Sequence, residues 1–438
     1  MGYRTAQSVN RERTLWGKVR DTVLADITPL RVSLDYRRLF FSQLISQIGT
    51  QITTTVIILQ IFEISGSNLA TGLIGAVSLL PQIVGGLYGG SIADAHDRRA
   101  VAYWTTAGLA GCSLLFAGIA LADLRVLWPL YLLIVGQTYL SAIAQPTRMA
   151  IIPRLIDGEL LPAANALAQI SWNIGFTVGP VVGVVLAKAY GFQTAYLVDA
   201  LSFAAAWYAY LRLPPVPPEG GQTRAAGFAS VIEGLRFLRG RTNLSMTFYI
   251  DIVAMAFGMQ RVLFAAAPVA LYGLTTVGVG PAQLPLSGLL FAAPAVGAVL
   301  GAVVSGWFTR VHRQGLAVAV SIVLWGLAVA MFGLTRQWWL GVLFLAAAGA
   351  ADMVSAVFRN TILQAATPDA LRGRLQGVLI AVVAGGPYIG DFRAGATATW
   401  LGLRPAIVSG GLLCIVGVVA LMAWRPGFLR YDARRPVA

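Results

Sequence analysis

Apolar runs of roughly 20 residues recur along the whole chain, the length a helix needs to cross the hydrocarbon core of a bilayer at 1.5 Å rise per residue. Twelve runs stand at residues 39–64, 68–93, 100–122, 127–153, 160–187, 190–212, 244–271, 285–309, 315–335, 337–366, 370–398 and 403–425. They are rich in Gly and Ala, are interrupted by Pro, and lack the alternation of a membrane barrel. With 57% hydrophobic and 11% charged residues the chain is not a soluble enzyme, and an all-α membrane protein of twelve transmembrane helices is expected.

The net charge of +14 invites a nucleic-acid partner, but its distribution argues for a membrane. Of the 32 lysines and arginines, 25 fall on one side once the termini and even-numbered loops are placed together. Four lie on the other side (Arg125, Lys188, Arg336, Arg404) and three inside spans (Arg261, Arg359, Arg393). By the positive-inside rule both termini are then cytoplasmic, in a multi-pass protein of a bacterial cytoplasmic membrane whose basic surplus faces anionic lipid. Cys112 and Cys414 fall within spans, so a disulfide framework is not expected. Residues 1–38 are polar and charged and show no cleavable signal peptide. Trp16, Val19, Val23 and Ile27 share one face of a surface helix there, a disordered tail being the other reading.

The spans divide into two sets of six, 39–212 and 244–425, around a linker at 213–243 that opens Pro214-Pro215-Val216-Pro217-Pro218. Phe228 to Arg239 in that linker has apolar residues at helical spacing, as a surface helix would. A cytoplasmic tail follows at 426–438. Shifting the chain by 211 residues pairs Arg148 with Arg359, Leu160 with Leu371, Gly175 with Gly386 and Gly179 with Gly390. Repeated halves are the build of alternating-access transporters, which hold substrate between the repeats near the midplane.

Charges inside spans mark function or fixed ion pairs, because burying one is expensive. Asp199 and Asp352 lie near mid-membrane, Asp251 and Arg359 toward the inside, Asp391 toward the outside. A carboxylate withdrawn from water favours its protonated form, so Asp251, Asp352, Asp391 and Asp199 are candidates for proton coupling. The competing reading is a fixed pair with Arg261, Arg359 or Arg393. Asp352 and Arg359 share a helix face but stand two turns apart, about 10 Å, which assigns each to partners on other helices or to water. Polar stripes run along three spans: Gln43, Gln47 and Gln51; Gln137, Ser141, Gln145 and Arg148; Asn165, Gln169, Asn173 and Thr177. They line a wet cavity or hydrogen-bond between helices. A cavity lined by them suits a substrate rich in hydrogen-bonding groups, and Arg148 with Arg359 suits an anionic one. Trp128, Trp338, Trp339, Trp400 and Trp424 stand near span ends as interfacial anchors.

In the fifth span, Gly175, Gly179 and Gly183 leave a groove for a close neighbour, and Pro180 removes a helix hydrogen bond and kinks it. No phosphate-binding Gly-x-x-x-x-Gly-Lys-Ser/Thr loop is present, and His96 and His312 have no metal-ligand spacing. No cofactor and no catalysis are expected.

Between the second and third spans the chain reads Gly90-Ser-Ile-Ala-Asp94-Ala-His-Asp97-Arg98-Arg99. This resembles the Gly-x-x-x-Asp-x-x-x-Arg-Arg loop signature of the major facilitator superfamily, with Ala95 where the family usually has a basic residue. The matching loop of the second half, Gly306 to Gly315, is degenerate, with Arg310 where an acid would stand. The run Gly175 to Gly183 resembles the Gly-x-x-x-Gly-Pro-x-x-Gly signature of exporting members. Arg148-Met-Ala-Ile-Ile-Pro153, Arg359-Asn-Thr-Ile-Leu-Gln364 and Gly390-Asp391 are similar to the enterobactin exporter-like efflux permease branch. The resemblance implies gating roles for Gly90, Asp94, Arg98, Arg99, Gly175, Gly179, Pro180 and Gly183. It implies a secondary transporter, a monomer, exporting an amphipathic small molecule such as a siderophore or drug in exchange for protons. A lysophospholipid transporter is the alternative within the superfamily, and a non-transporting membrane sensor or scaffold the alternative outside it.

Overall fold

The computed structural model describes residues 26–217, 236–279, 282–303, 305, 308, 311–366 and 369–432. The surface helices expected at Trp16–Ile27 and Phe228–Arg239 fall mostly outside these residues. A short α1 (Thr28–Val32) leads into six long helices: α2 (Leu34–Ser65), α3 (Asn68–Ala95), α4 (Arg98–Leu121), α5 (Leu127–Ile151), α6 (Leu161–Tyr190) and α7 (Phe192–Arg212). The second half holds α8 (Thr242–Val253), α9 (Ala267–Tyr272), α10 (Leu286–Val303), α11 (Gln314–Leu334), α12 (Trp338–Ala366), α13 (Asp369–Leu401) and α14 (Leu403–Trp424). Ten of these segments are long and apolar enough to cross a membrane by themselves. The two more polar ones, α7 and α13, are held among them by α2 and α4 and by α3 respectively.

Local chemistry fixes where the helices start and stop. Ser33, Ser67 and Asp97 accept hydrogen bonds from the free first-turn N–H groups of α2, α3 and α4. Gly191 and Gly402, 211 residues apart, turn the chain between α6 and α7 and between α13 and α14 with φ of 85° and 86°. A side chain at either position would be strained. The repeat read from the sequence thus extends to the backbone of its tightest corners.

The packing repeats too. In the first half α2 lies on α6, α3 on α5 and α4 on α7; in the second, the broken seventh span lies on α13, α10 on α12 and α11 on α14. A Cβ added at Gly175 would come within 2.6 Å of Gln47 Cγ, and one at Gly386 within 2.7 Å of Met255 Cβ. These glycines let equivalent helices touch, as the sequence grooves anticipate. Pro180 lies inside the continuous helix α6.

The seventh span departs from its sequence expectation. A single helix over 244–271 is expected, but α8 ends in a π-turn at Ala254–Gly258, the chain is extended at Met259, and a 3-10 turn at Arg261–Phe264 leads into α9. Gln260 and Arg261, two adjacent polar residues after Gly258, are where the apolar run is interrupted. The all-helical plan also gains a hairpin, β1 (Thr276–Val279) paired antiparallel with β2 (Ala282–Pro285), so the loop before α10 carries strands. The eighth span is described as a helix through Val303, and most of its expected end, 304–309, lies outside the described residues.

Among the described residues, the two halves meet at the membrane face that bears this hairpin: Gly72 of α3 approaches Gly395 of α13, Gly288 of α10 approaches Val181 of α6, and Lys188 donates to the Thr275 carbonyl at 3.2 Å. On the opposite face, which bears the linker, Gln169 is exposed one turn below Asn173.

Candidate functional site

A cavity of about 270 Å³ lies between the halves. Gln51, Thr54 and Thr55 of α2 and Trp172, Asn173, Phe176 and Pro180 of α6 form one wall. The break after α8 (Met255 to Phe264), Phe291 and Pro294 of α10, Trp325 of α11 and Asp352 of α12 form the other. Its chemistry is mixed: five aromatic side chains supply apolar, polarisable surface, while amides, hydroxyls, the Asp352 carboxylate and the Arg261 guanidinium supply hydrogen bonds. The Trp172 and Phe176 rings stand 5.2 Å apart, one turn apart on the same helix face.

Asp352 belongs to a cluster that spacing alone had separated. The Arg359 guanidinium pairs with Asp251 of α8 and lies 3.6 Å from Asp352 Oδ1. The two-turn gap on α12 closes because side chains on a helix lean toward its N-terminus, and arginine is long enough to reach back to Asp352. The expectation that the two groups do not meet is corrected. One cation therefore bridges two carboxylates, and the two differ in access: the Asp352 side chain is 38% exposed and faces the cavity, that of Asp251 only 1%.

The first half carries a cation at the matching place with different company. Gly175 meets Gln47 and Gly386 meets Met255, so Gln43 stands where Asp251 does, four residues earlier in each case. The 211-residue shift sets Arg148 against Arg359 and Ser141 against Asp352. Arg148, Gln43 and Thr106 gather at the buried hydroxyl of Tyr210 on α7. Among the described residues no carboxylate takes part there.

The other two candidate acids have structural surroundings. Asp199 of α7 is fully buried and accepts from Thr53 at 2.7 Å, Ser113 at 2.7 Å and Ser202 at 3.4 Å, tying α2 and α4 to α7 away from the cavity. Asp391 of α13 stands beside the Arg261 and Arg393 charges and accepts from the Val262 N–H at 3.3 Å, and Arg393, two residues on, donates to the Phe257 carbonyl at 2.6 Å. The neighbouring pair satisfies donor and acceptor groups that the broken span leaves free, which hydrocarbon would otherwise penalise by several kcal/mol.

The polar stripes scatter. Gln51 and Asn173 line the cavity; Gln169 donates to Asn173 at 3.4 Å; Gln47 packs under Gly175; Gln137 is buried; Gln145 is half-buried. In the loop signature, Gly90 and Asp94 lie in α3, their side-chain surroundings outside what is described. Arg99 donates to the Tyr210 and Leu211 carbonyls at 2.8 and 3.0 Å, and Arg98 to the Ala150 carbonyl at 3.4 Å. Asp97 accepts from the N–H groups of Arg99 and Val216 at 2.9 and 3.0 Å. The two arginines thus satisfy carbonyls at the linker-face ends of α5 and α7. Residues the sequence reading did not single out for the site are Trp172, Phe176, Gln260, Trp325 and Tyr210. Aromatic residues in spans read as generic apolar surface, and only the break reveals Gln260.

The geometry has known counterparts. The fold matches a POT family transporter in complex with 5-aminolevulinic acid (TM-score 0.74, 13% identity, 90% of this chain and 97% of that one). It also matches the nucleoside transporter NupG (TM-score 0.68, 13% identity, 91% and 100%) and a bacterial homolog of the human lysosomal transporter Spinster in an inward-facing, unoccupied conformation (TM-score 0.67, 17% identity, 92% and 97%). In sequence it is similar to the enterobactin exporter EntS of Citrobacter koseri, 28% identical over 407 residues covering 92% of this chain and 95% of that protein. The Escherichia coli O81 protein of that name is 28% identical over 403 residues, 91% and 94% of the two chains. The family described as "Transmembrane secretion effector" matches residues 24–430. The chain belongs to this family of major facilitator secondary transporters, multi-pass membrane proteins and not enzymes.

Proposed function

We propose that this transporter exports an amphipathic, aromatic small molecule, of the siderophore or drug kind, in exchange for protons across a bacterial cytoplasmic membrane. The linker face is the cytoplasmic one in this reading, as the distribution of lysine and arginine supports. The observation that carries it is the Asp251–Arg359–Asp352 cluster, with Asp352 reaching the cavity wall while Asp251 is sealed against the arginine. Two carboxylates and one cation leave a net negative charge that one proton neutralises. Asp352 is the group placed to take that proton, since it alone of the pair meets the space where substrate would sit. Competition between proton and substrate for this wall would then bias the two facing states. The relation to enterobactin exporters supports export. The amides and aromatic rings of the cavity support a ligand with both hydrogen-bonding groups and flat apolar surface.

The test is uptake into inverted vesicles under an imposed pH gradient, with a catecholate siderophore and a cationic dye as probes. Gradient-driven accumulation that survives in Asp251→Asn but disappears in Asp352→Asn is the expected pattern. Accumulation indifferent to the gradient would overturn antiport.

A further inference from the structure

The linker face carries a second concave site, remote from the central cavity. Where the linker enters α8, a pocket of about 430 Å³ opens between Arg239, Gly240 and Arg241 on one side and Trp424 and Arg425, at the end of α14, on the other. Three guanidiniums line it, and no carboxylate does among the described residues. The arginines are differently held. Arg241 lies 3.4 Å from the centre of the Phe237 ring and donates to the Phe237 carbonyl at 2.8 Å, which fixes its plane and, among the described residues, leaves its other N–H groups to serve an anion. Arg425 lies 4.8 Å from the centre of the Trp424 ring, and Arg239 is exposed. Below the charged rim the wall turns apolar along α8, through Tyr249 and Ile252, both exposed on the outside of the bundle. The Tyr249 and Trp424 rings pair at 6.3 Å, the amphipathic residues that settle at headgroup depth.

We propose that this pocket binds one anionic phospholipid of the linker-face leaflet, its phosphate among Arg239, Arg241 and Arg425 and an acyl chain along Tyr249 and Ile252. A cationic rim with no carboxylate among the described residues that line it selects an anion, and the apolar descent into the bilayer selects an anion that carries hydrocarbon. A free phosphate would use the rim alone and leave the wall unfilled. The site joins the linker's last turn to both α8 and α14, so an occupant would tie the linker to the second half at the root of the helix that supplies Asp251.

The experiment is native mass spectrometry of the full-length detergent-solubilised protein, titrated with phosphatidylglycerol or with phosphatidylcholine of the same chains. It is run alongside thermal unfolding with either lipid or with inorganic phosphate. One retained phosphatidylglycerol per protein and a rise in Tm that phosphatidylcholine does not give are expected. Retention should fall by at least about tenfold in the triple variant R239Q/R241Q/R425Q, and much less in R239K/R425K, which keeps the charge. The unfolding curve of each variant without lipid shows whether it is folded, and the single variant R239Q, at an exposed position, guards against a misfolded triple. Equal retention of the two lipids, undiminished phosphatidylglycerol retention in folded R239Q and triple variants, or an equal Tm rise with inorganic phosphate would each overturn the proposal.

Discussion

The two halves of this transporter place an arginine at the same point of the repeat and treat it in opposite ways. Arg148 meets neutral partners, Gln43 and Tyr210, while Arg359 meets two carboxylates, Asp251 and Asp352. The scaffold therefore keeps a cation at both places and varies only its partners. A guanidinium among neutral hydrogen-bonders carries a fixed charge, because arginine does not lose its proton. A guanidinium between two carboxylates forms a unit whose net charge changes with one proton. In the proposed mechanism one half would keep its charge and the other would switch it.

Removing the arginines is the hardest blow to this contrast. Arg359→Gln leaves Asp251 buried without its cation, and a stability loss of about 3–5 kcal/mol is expected together with loss of transport. Arg148→Gln removes hydrogen bonds to neutral groups, with about 1–2 kcal/mol expected. Denaturation midpoints in one detergent compare them, and equal losses would erase the distinction.

Transplanting the charge is milder. Gln43→Asp gives Arg148 a carboxylate where the second half has one, and stability within about 1 kcal/mol of the parent is expected. Gradient-driven transport should persist, because that cluster is off the cavity wall. A Gln43→Asp change that restored coupling to Asp352→Asn would show that position within the half does not matter.

The smallest effect belongs to Asp391→Asn. The amide oxygen still accepts from the Val262 N–H, so the broken span keeps its partner and transport should stay within about twofold. Asp391→Leu removes the acceptor, and about 1–3 kcal/mol of destabilisation is expected. Loss of coupling in Asp391→Asn at full stability would make Asp391 a proton carrier and break the assignment to the Arg359 cluster.

The sequence and the structure agree where the bilayer dictates the answer. Run lengths, the Pro-rich linker and the 211-residue shift set out twelve spans and two halves, because hydrocarbon demands apolar helices of one length. Gly175 is readable as a packing site for the same reason, since close helix approach needs small residues, and the 211-residue shift leads from it to Gly386. What stayed hidden depends on reach and on exchange of backbone partners. Arg359 meets Asp352 through a long, tilted side chain, which axial rise alone does not convey. The break after α8 exists because Asp391 and Arg393, some 130 residues away in sequence, satisfy its freed groups, and no local pattern announces that. Asp199 is a proton-coupling candidate in the sequence, and the fold adds what spacing does not convey, that three hydroxyls from three helices surround it.

The central claim is that the exchangeable proton resides in the second half, at Asp352. The most direct measurement is proton release on addition of the cationic dye or siderophore to purified protein in weak buffer, followed with a pH indicator in wild type, Asp352→Asn and Arg148→Gln. Release in the wild type and in Arg148→Gln, and none in a folded Asp352→Asn that still binds the probe, is the result expected. Undiminished release from Asp352→Asn would contradict the account and move the proton elsewhere.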